Sequence, residues 1–387
     1  MKKNAKERKL HIAMIGHKHV PSREGGVEIV VWELAKRLHE AGYEVDCYNR
    51  KEMNYHDNNR QRVIGKKGYY YDGIRMISIP TFENAKLNAI VYSVLGTIRI
   101  LFGHYDIIHF HAEGPCIMMW LPKLFGKKTV ATIHGLDWQR SKWGNFASSM
   151  LKRGEATAAK RADEIIVLSR NVEDYFKETY GRKTLYIPNG ITKPMHFPPD
   201  LIKKEYGLNG NDYIFTLSRI VPEKGIHYLI EAFEKSGTNK KLVIIGGSGN
   251  DEIYWNQISD MSSKNDNIIM TGFQHDQMLG ELCSNAYLFV LPSDVEGMSV
   301  SLLEAMSYGN CCLVSDIPEN TEVTGDKAIT FRKSDVGDLT DKLRSLFNEP
   351  NKVAEMKKES AAYICARYSW DKMTEETEKI YDRVMDD

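Results

Sequence analysis

The chain is poor in features that would place it outside the ordinary globular enzymes. It has six cysteines in 387 residues: Cys47, Cys116, Cys283, the adjacent Cys311 and Cys312, and Cys365. None stands in a Cys-x-x-Cys pair or at zinc-like spacing, and most lie in apolar segments. That excludes a disulfide framework and reads as buried free thiols of a reducing compartment. There is no excess charge of either sign, with 52 Lys and Arg against 52 Asp and Glu and a pI near 7.2. Nothing in that balance favours nucleic acid as a partner. There is no long hydrophobic run. The longest apolar stretch, residues 89–103, is interrupted by Arg99 and is too short to span a bilayer. It reads as a buried helix, with a helix lying in a membrane surface as the alternative. The first residues carry no apolar segment before a cleavage site, so no secretory signal is expected. Nor is there an Asp-x-Asp pair to hold a divalent ion; Asp386-Asp387 is a tail.

What is present is alternation. At 387 residues the chain exceeds one ordinary core and suggests two domains of about 150–200 residues. Short apolar strands are expected at 11–15, 43–48, 74–79, 105–111, 129–133 and 164–168, with an amphipathic helix at 27–41 and helical segments between the later strands. A second series follows, with strands at 213–217, 241–245, 267–270, 287–291 and 311–315 and a helix at 225–235. Two helices, about 352–366 and 370–384, close the chain. This pattern predicts an α/β fold with two Rossmann-like, doubly wound parallel sheets. Four prolines (Pro188, Pro194, Pro198, Pro199) break regular structure between the two series. The expected domains are residues 1–190 and 191–369, with the helix at about 370–387 packing back on the first. Two such sheets in tandem would face a central cleft with their strand C-terminal ends.

Candidate functional residues fall just after strands. Residues 290–310 pass from a strand through Pro292-Ser293-Asp294 and Glu296-Gly297 into a helix from about Ser299, which Leu302, Leu303 and Met306 anchor and Gly309 ends. A helix N-terminus attracts phosphate, and a carboxylate can accept two sugar hydroxyls. With Glu296 before the helix and Glu304 inside it, the stretch suits a nucleotide-sugar. In Ser218-Arg219-x4-Lys224-Gly225, two cations five apart can both reach one pyrophosphate. The first loop, residues 16–26, delivers Gly25-Gly26 to a helix start, where missing side chains would let a phosphate or an acceptor approach the backbone. Its glycines do not fit the Gly-x-Gly-x-x-Gly nicotinamide fingerprint. His109 and His111 share one side of a strand. His109 reads as a core histidine and His111, at the strand end, as a ligand contact, with His134 a weaker candidate. No third ligand supports a zinc site. Asn189-Gly190 suits a hinge, and Phe273, after Thr271-Gly272, suits base stacking.

Together the Gly-Gly loop, Ser-Arg-x4-Lys-Gly, Pro-Asn-Gly and Glu296-x7-Glu304 within Pro-Ser-Asp-Val-Glu-Gly-Met-Ser-Val-Ser-Leu-Leu-Glu-Ala-Met-Ser-Tyr-Gly resemble the retaining, GT-B-fold glycosyltransferases of family 4. The likeness covers essentially the whole chain. The Gly-Gly-Val-Glu loop and Cys47-Tyr-Asn-Arg50 are also similar to a bacterial subgroup of rhamnosyl and related cell-surface transferases. The resemblance implies transfer from a nucleotide-sugar to a glycan or lipid-linked acceptor in cell-envelope or exopolysaccharide synthesis. It implies that Arg219 and Lys224 hold the donor diphosphate, that Glu304 binds the ribose, and that Glu296 faces the donor sugar. Gly297, Met298 and Ser299 would offer backbone N–H groups, His111 would lie near donor sugar and acceptor, Gly25 and Gly26 would line the pyrophosphate or acceptor path, and Phe273 would meet the base. No metal and no cofactor beyond the nucleotide-sugar co-substrate are implied. Arg219, Lys224 and the helix dipole would then supply the positive charge.

Two basic stretches bear on localisation. Lys2, Lys3, Lys6, Arg8 and Lys9 crowd the start. Residues 138–153 mix Trp138, Arg140, Lys142, Trp143, Phe146, Met150, Lys152 and Arg153. Both suit an anionic membrane surface and equally a solvated tail and helix. The expectation is a cytoplasmic protein, peripheral on the inner membrane face if the first reading holds. The rival functions are a nucleotide-sugar epimerase of related architecture and a non-catalytic nucleotide-sugar-binding protein.

Overall fold

The computed structural model describes residues 9–51, 69–82, 85–140, 144–249 and 251–386. They form two compact units. One contains the described residues up to 139, then 144–188 and 370–386; the other contains Arg140 and residues 189–369.

The first unit is built on an eight-stranded sheet: β1 (His11–Ile15), β2 (Glu44–Lys51), β3 (Tyr69–Tyr71), β4 (Ile74–Pro80), β5 (Ile107–His111), β6 (Lys128–Ile133), β7 (Glu164–Val167) and β8 (Leu185–Tyr186), in the order β3-β4-β2-β1-β5-β6-β7-β8. All neighbours are parallel except β3 and β4, an antiparallel hairpin turning through Asp72-Gly73, both at positive φ. Asp-Gly is the dipeptide such two-residue turns select. β5 is buried at all five positions, as a parallel strand covered on both faces must be. The helix Gly26–Glu40 crosses from β1 to β2 and buries Val30, Val31, Leu34, Ala35 and Leu38. The last helix, Trp370–Asp386, packs beside it. Its buried Tyr381 hydroxyl is 2.7 Å from His109 Nδ1, and Asp371 accepts from Arg37 Nε at 2.6 Å.

The second unit holds β9 (Tyr213–Leu217), β10 (Lys241–Ile245), β11 (Ile268–Gly272), β12 (Leu288–Leu291), β13 (Cys312–Ser315) and β14 (Ile329–Phe331), in the order β11-β10-β9-β12-β13-β14 and all parallel. Its core gathers Ile214, Ile244, Leu288, Val290 and Leu313 from the strands. Leu229, Phe233, Leu339 and Leu343 come from the helices Ile226–Ser236 and Val336–Asn348. Each such side chain contributes about 1.5–3 kcal/mol by leaving water.

Each sheet reverses its winding once. In the first, the chain runs outward from β1 through β2 to β4, then returns to β5 on the other side of β1. In the second, it runs from β9 to β11 and returns to β12 beside β9. Neighbouring loops beyond these strand ends diverge to opposite faces and leave a crevice where open α/β sheets bind ligands. The loops at the reversals are 16–25 and the end of β5 in the first unit, and 218–225 and 292–299 in the second.

The expected strands all form, with ends displaced by at most three residues. The largest displacement is in β2, which continues to Lys51 because it pairs with β4 as far as Pro80. β3, β8 and β14, each two or three residues long, were not expected. The apolar stretch 89–103 lies mostly in the helix Ala85–Leu101, and the expectation of a buried helix needs correcting. Tyr92, Ser93, Thr97 and Ile100 are buried, but Ile90, Leu95 and Ile98 are about 40% exposed. A crossover helix covers its sheet with one face only. Among the described residues no helix is long and apolar enough to cross a membrane.

Candidate active site

In the second unit the two loops at the reversal interlock. Residues Pro222–Lys224 make one 3-10 turn, and Gly225 follows at φ 65°. A Cβ on Gly225 would stand 2.1 Å from the Pro292 carbonyl oxygen, so only glycine lets the loops pass this closely. Asp294 N–H donates to the Glu223 carbonyl at 2.9 Å. Across this contact Lys224 Nζ meets Glu296 Oε1 at 2.5 Å, and Ser293 Oγ donates to the same oxygen at 2.7 Å. Ser293 is held in turn by its carbonyl, which accepts from Ser315 Oγ, itself bonded by Asn320 Nδ2. Burial lowers the Lys224 pKa, Glu296 opposes that shift, and Arg140 and Arg219 add to it. Arg219 is thus one of the charges that act on Lys224.

The glycines after β10 shape the Arg219 loop. Gly246 sits at φ 146°, and a Cβ there would fall 1.8 Å from the Ser218 carbonyl oxygen. Gly247 accepts from Ile220 N–H at 2.8 Å, and a Cβ on Gly249 would press on Val221 and Arg219.

The helix after β12 spans Val300–Ser307, with Leu302, Leu303 and Met306 fully buried and Glu304 half-buried. Gly309 lies at φ 74° just past it. Ser299 is the N-cap, accepting from Leu302 N–H at 3.3 Å, so one of the four unpartnered donors of the first turn is satisfied internally. Met298 is buried and tied to Asn189, whose side-chain amide donates to the Met298 carbonyl at 3.3 Å. Gly297 is buried beside Glu296. Phe273 follows Gly272 at the end of β11 and is 46% exposed. Two strands separate β11 from β12, about 14 Å at ordinary strand spacing. The structure thus joins Lys224 directly to Glu296 and sets Phe273 well to one side.

In the first unit the reversal is lined by histidines. Gly16 lies at φ 127° against the His111 carbonyl, where a Cβ would be 1.9 Å from the oxygen. His17, fully buried, has Nε2 2.9 Å from Asn49 Oδ1. Asn49 also accepts from Val20 N–H and donates to the Val20 carbonyl, stapling the loop to the end of β2. Gly25 caps the helix that begins at Gly26, and Glu28 folds back to accept Lys18 N–H at 2.9 Å. His109 is a satisfied core histidine, bonded to Tyr381 and to Thr132 Oγ1 at 2.7 Å each. His111 stacks on it with ring centroids 4.2 Å apart and places Nδ1 3.2 Å from His134 Nε2. Its Nε2 is buried and has no hydrogen-bond partner among the described residues. Burial, with His109, His134 and His17 nearby, drives the His111 pKa well below the usual value, so its imidazole is neutral. Such a ring can donate or accept one further hydrogen bond but carries no charge.

Sequence reasoning missed His17, Asn49 and Glu223. His17 and Asn49 are joined across 32 residues by the pairing of β1 with β2, and no local pattern announces that contact. Glu223 lay unremarked inside the Arg219–Lys224 segment. Of the stretch 138–153, residues 141–143 lie outside the described residues, as do Lys2, Lys3, Lys6 and Arg8. Trp138 is held, its Nε1 donating to the buried Glu155 at 3.1 Å under Lys152 Nζ, 4.0 Å from the ring, whereas Phe146 is 73% exposed.

Two doubly wound α/β units in one chain, each with its polar loops at the sheet reversal, have the architecture of the GT-B class of glycosyltransferases. Comparison with known proteins narrows the class. The family described as glycosyl transferases group 1 matches residues 200–363, and glycosyltransferase family 4 matches residues 24–193. A UDP-Gal:alpha-D-GlcNAc-diphosphoundecaprenol alpha-1,3-galactosyltransferase of Escherichia coli is 30% identical over an alignment of 270 residues that covers 65% of this chain and 69% of the relative. The chain therefore belongs to the group 1, family 4 glycosyltransferases, and it is an enzyme of the EC 2.4 class. Among solved structures, sucrose-phosphate synthase of Thermosynechococcus elongatus superposes with a TM-score of 0.83 at 19% identity, covering 97% of this chain and 99% of that one. Anabaena HepE in complex with UDP-glucose gives a TM-score of 0.77 at 15% identity over 97% and 100% of the two chains.

Proposed function

We propose that this glycosyltransferase moves a sugar from a nucleotide-sugar to a glycan or lipid-linked acceptor in cell-envelope or exopolysaccharide assembly, with retention of anomeric configuration and without a metal ion. The observation that carries the donor side is the Lys224–Glu296 pair at the β9/β12 reversal, with Arg219 in electrostatic reach. Two cations there can hold a diphosphate and neutralise it as it leaves. Glu296 orients Lys224 and faces the donor sugar. Glu304 takes the ribose hydroxyls, backbone N–H groups of 297–299 approach the phosphates, and Phe273 meets the base about 14 Å away. His111, neutral and with Nε2 available, serves the sugar and acceptor end, and Gly25-Gly26 keep that path open. In the step itself the bond from the anomeric carbon to the phosphate oxygen breaks, and the acceptor oxygen bonds to the same face. The acceptor proton passes to the departing phosphate.

The relative from Escherichia coli is named for a lipid-diphosphate acceptor and a UDP-sugar, which supports a lipid-linked acceptor here. Among the described residues no three His, Cys, Asp or Glu side chains gather into a metal-binding group.

The test is product formation from a panel of UDP-, GDP- and dTDP-sugars, dTDP-rhamnose included, with and without EDTA, and NMR of the product anomer. Transfer with retention, undiminished by EDTA, is expected. Inversion or loss with EDTA overturns the corresponding part of the proposal. An epimerised sugar without transfer would make the chain an epimerase, and binding without turnover a binding protein. Co-sedimentation with anionic but not neutral vesicles is expected if the enzyme works at a membrane face; equal sedimentation with both removes that element.

A further inference from the structure

We propose that Arg140 is a third cation of the donor-diphosphate site, held ready by the buried carboxylate of Glu223. The inference rests on the reading that a diphosphate lies with Arg219 and Lys224, and it adds to that reading a residue that no part of the family resemblance assigns.

Arg140 belongs to the second unit, and its side chain is only 20% exposed. Its Nη1 stands 3.8 Å from Glu223 Oε1, and the Glu223 side chain is 2% exposed. Glu223 occupies the position next to Lys224, and its backbone carbonyl binds the Asp294 N–H of the facing loop, so its place is tightly set. Yet neither carboxylate oxygen has a hydrogen-bond partner among the described residues. A carboxylate this deeply buried is costly unless it compensates a charge. Arg140, 3.8 Å away, is such a charge, and no hydrogen bond joins it to the carboxylate. A fork of planar N–H donors is the group best matched to phosphate oxygens.

The electrostatics point the same way. Arg140 and Arg219 both act on Lys224 by charge, and both disfavour its charged form. Arg140, Arg219 and Lys224 thus act at one reversal with Glu223 and Glu296. Like charges brought together in a partly dry site are relieved when an anion joins them. A nucleoside diphosphate carries the required charge and presents oxygens on both phosphates. Arg140 also gives the basic stretch 138–153 a function other than membrane contact.

The experiment is calorimetric titration of the wild-type enzyme and of Arg140→Ala, Arg140→Gln and Arg140→Lys. The probes are UDP, GDP and dTDP, and the nucleoside of whichever diphosphate binds best. In Arg140→Ala the diphosphate should bind about ten- to a hundredfold more weakly and with a shallower salt dependence, while the nucleoside binds within about twofold of wild type. Arg140→Lys should recover part of the loss. Arg140→Gln, with a side chain of similar length, gives the same reading if the alanine variant does not fold. Wild-type diphosphate affinity in the variants overturns the proposal. So does equal weakening of nucleoside and diphosphate, the signature of a counter-ion that only holds Glu223 in place. If the wild-type enzyme binds none of the three diphosphates, the donor-site reading itself fails, and the role of Arg140 fails with it.

Discussion

The two sheet reversals are built alike and filled differently. Each begins with a strand-ending loop pressed against its neighbour through a glycine that tolerates no side chain, Gly16 against His111 in one unit and Gly225 against Pro292 in the other. Beyond that the chemistry diverges. The first reversal is lined by buried, neutral imidazoles of His17, His109 and His111. The second gathers Arg219, Lys224 and Arg140 about Glu296 and Glu223. A doubly wound sheet supplies a crevice but not its charge. Under the proposed function the difference divides the labour: neutral imidazoles suit hydroxyls of sugars, and paired cations suit a diphosphate.

The comparison breaks most visibly if the charged side is emptied. Lys224→Ala and Glu304→Ala should each lower kcat/KM by about a thousandfold, roughly 4 kcal/mol, chiefly through lost donor binding. Steady-state kinetics with calorimetry on a nucleoside diphosphate checks this. Wild-type turnover in both variants would show that the site lies elsewhere.

The shared architecture is tested at its glycines. Gly16→Ala and Gly225→Ala each combine positive φ with a carbonyl about 2 Å from the new Cβ, and each should cost about 3 kcal/mol of unfolding free energy. Gly126→Ala, at φ 68° with nothing within 4 Å, should cost about 1 kcal/mol. Denaturant unfolding of the three variants separates close approach from φ alone; equal losses would refute the role of the carbonyls.

On the uncharged side, His111→Ala should slow turnover about a hundredfold, roughly 2.7 kcal/mol, and leave nucleoside diphosphate affinity nearly intact. A matching loss of that affinity would blur the division between the two reversals.

A smaller effect comes from pH. Burial holds His17 and His109 at about 3 and lowers His111 well below its usual value. The folded state therefore binds fewer protons than the unfolded chain below about pH 6.5. Stability is fully present above that pH and is lost as pH falls toward the folded values, by up to about 2 kcal/mol per histidine at pH 5. Thermal unfolding between pH 7.5 and 4.5 should show a falling midpoint and proton uptake. A flat profile would mean that these imidazoles are not buried and neutral.

Much of this was legible in the amino-acid order. Buried parallel strands announce themselves as runs such as Lys241-Leu-Val-Ile-Ile245, because both faces are covered and few polar residues interrupt them. The loops carrying Arg219, Lys224 and Glu296 were found because cations, carboxylates and glycines cluster just after such runs. β3 was overlooked although Asp72-Gly73 marks its turn, since a three-residue strand has too little period to read. His17 escaped because a lone loop histidine has no local signature, and Arg140 because its aromatic and basic neighbours suggested a different surface.

Sequence alone determined which segments become strands and helices, where the prolines interrupt them, and which kinds of side chain lie at strand ends. These are local matters of periodicity, backbone preference and turn chemistry. The tertiary structure decided which of those side chains meet. Lys224 finds Glu296 across 72 residues because β12 pairs with β9 at the reversal, and His111 becomes neutral because β1 and β6 flank β5 and bury it. Strand order sets distance, burial and dielectric at once, and no run of neighbouring residues encodes it.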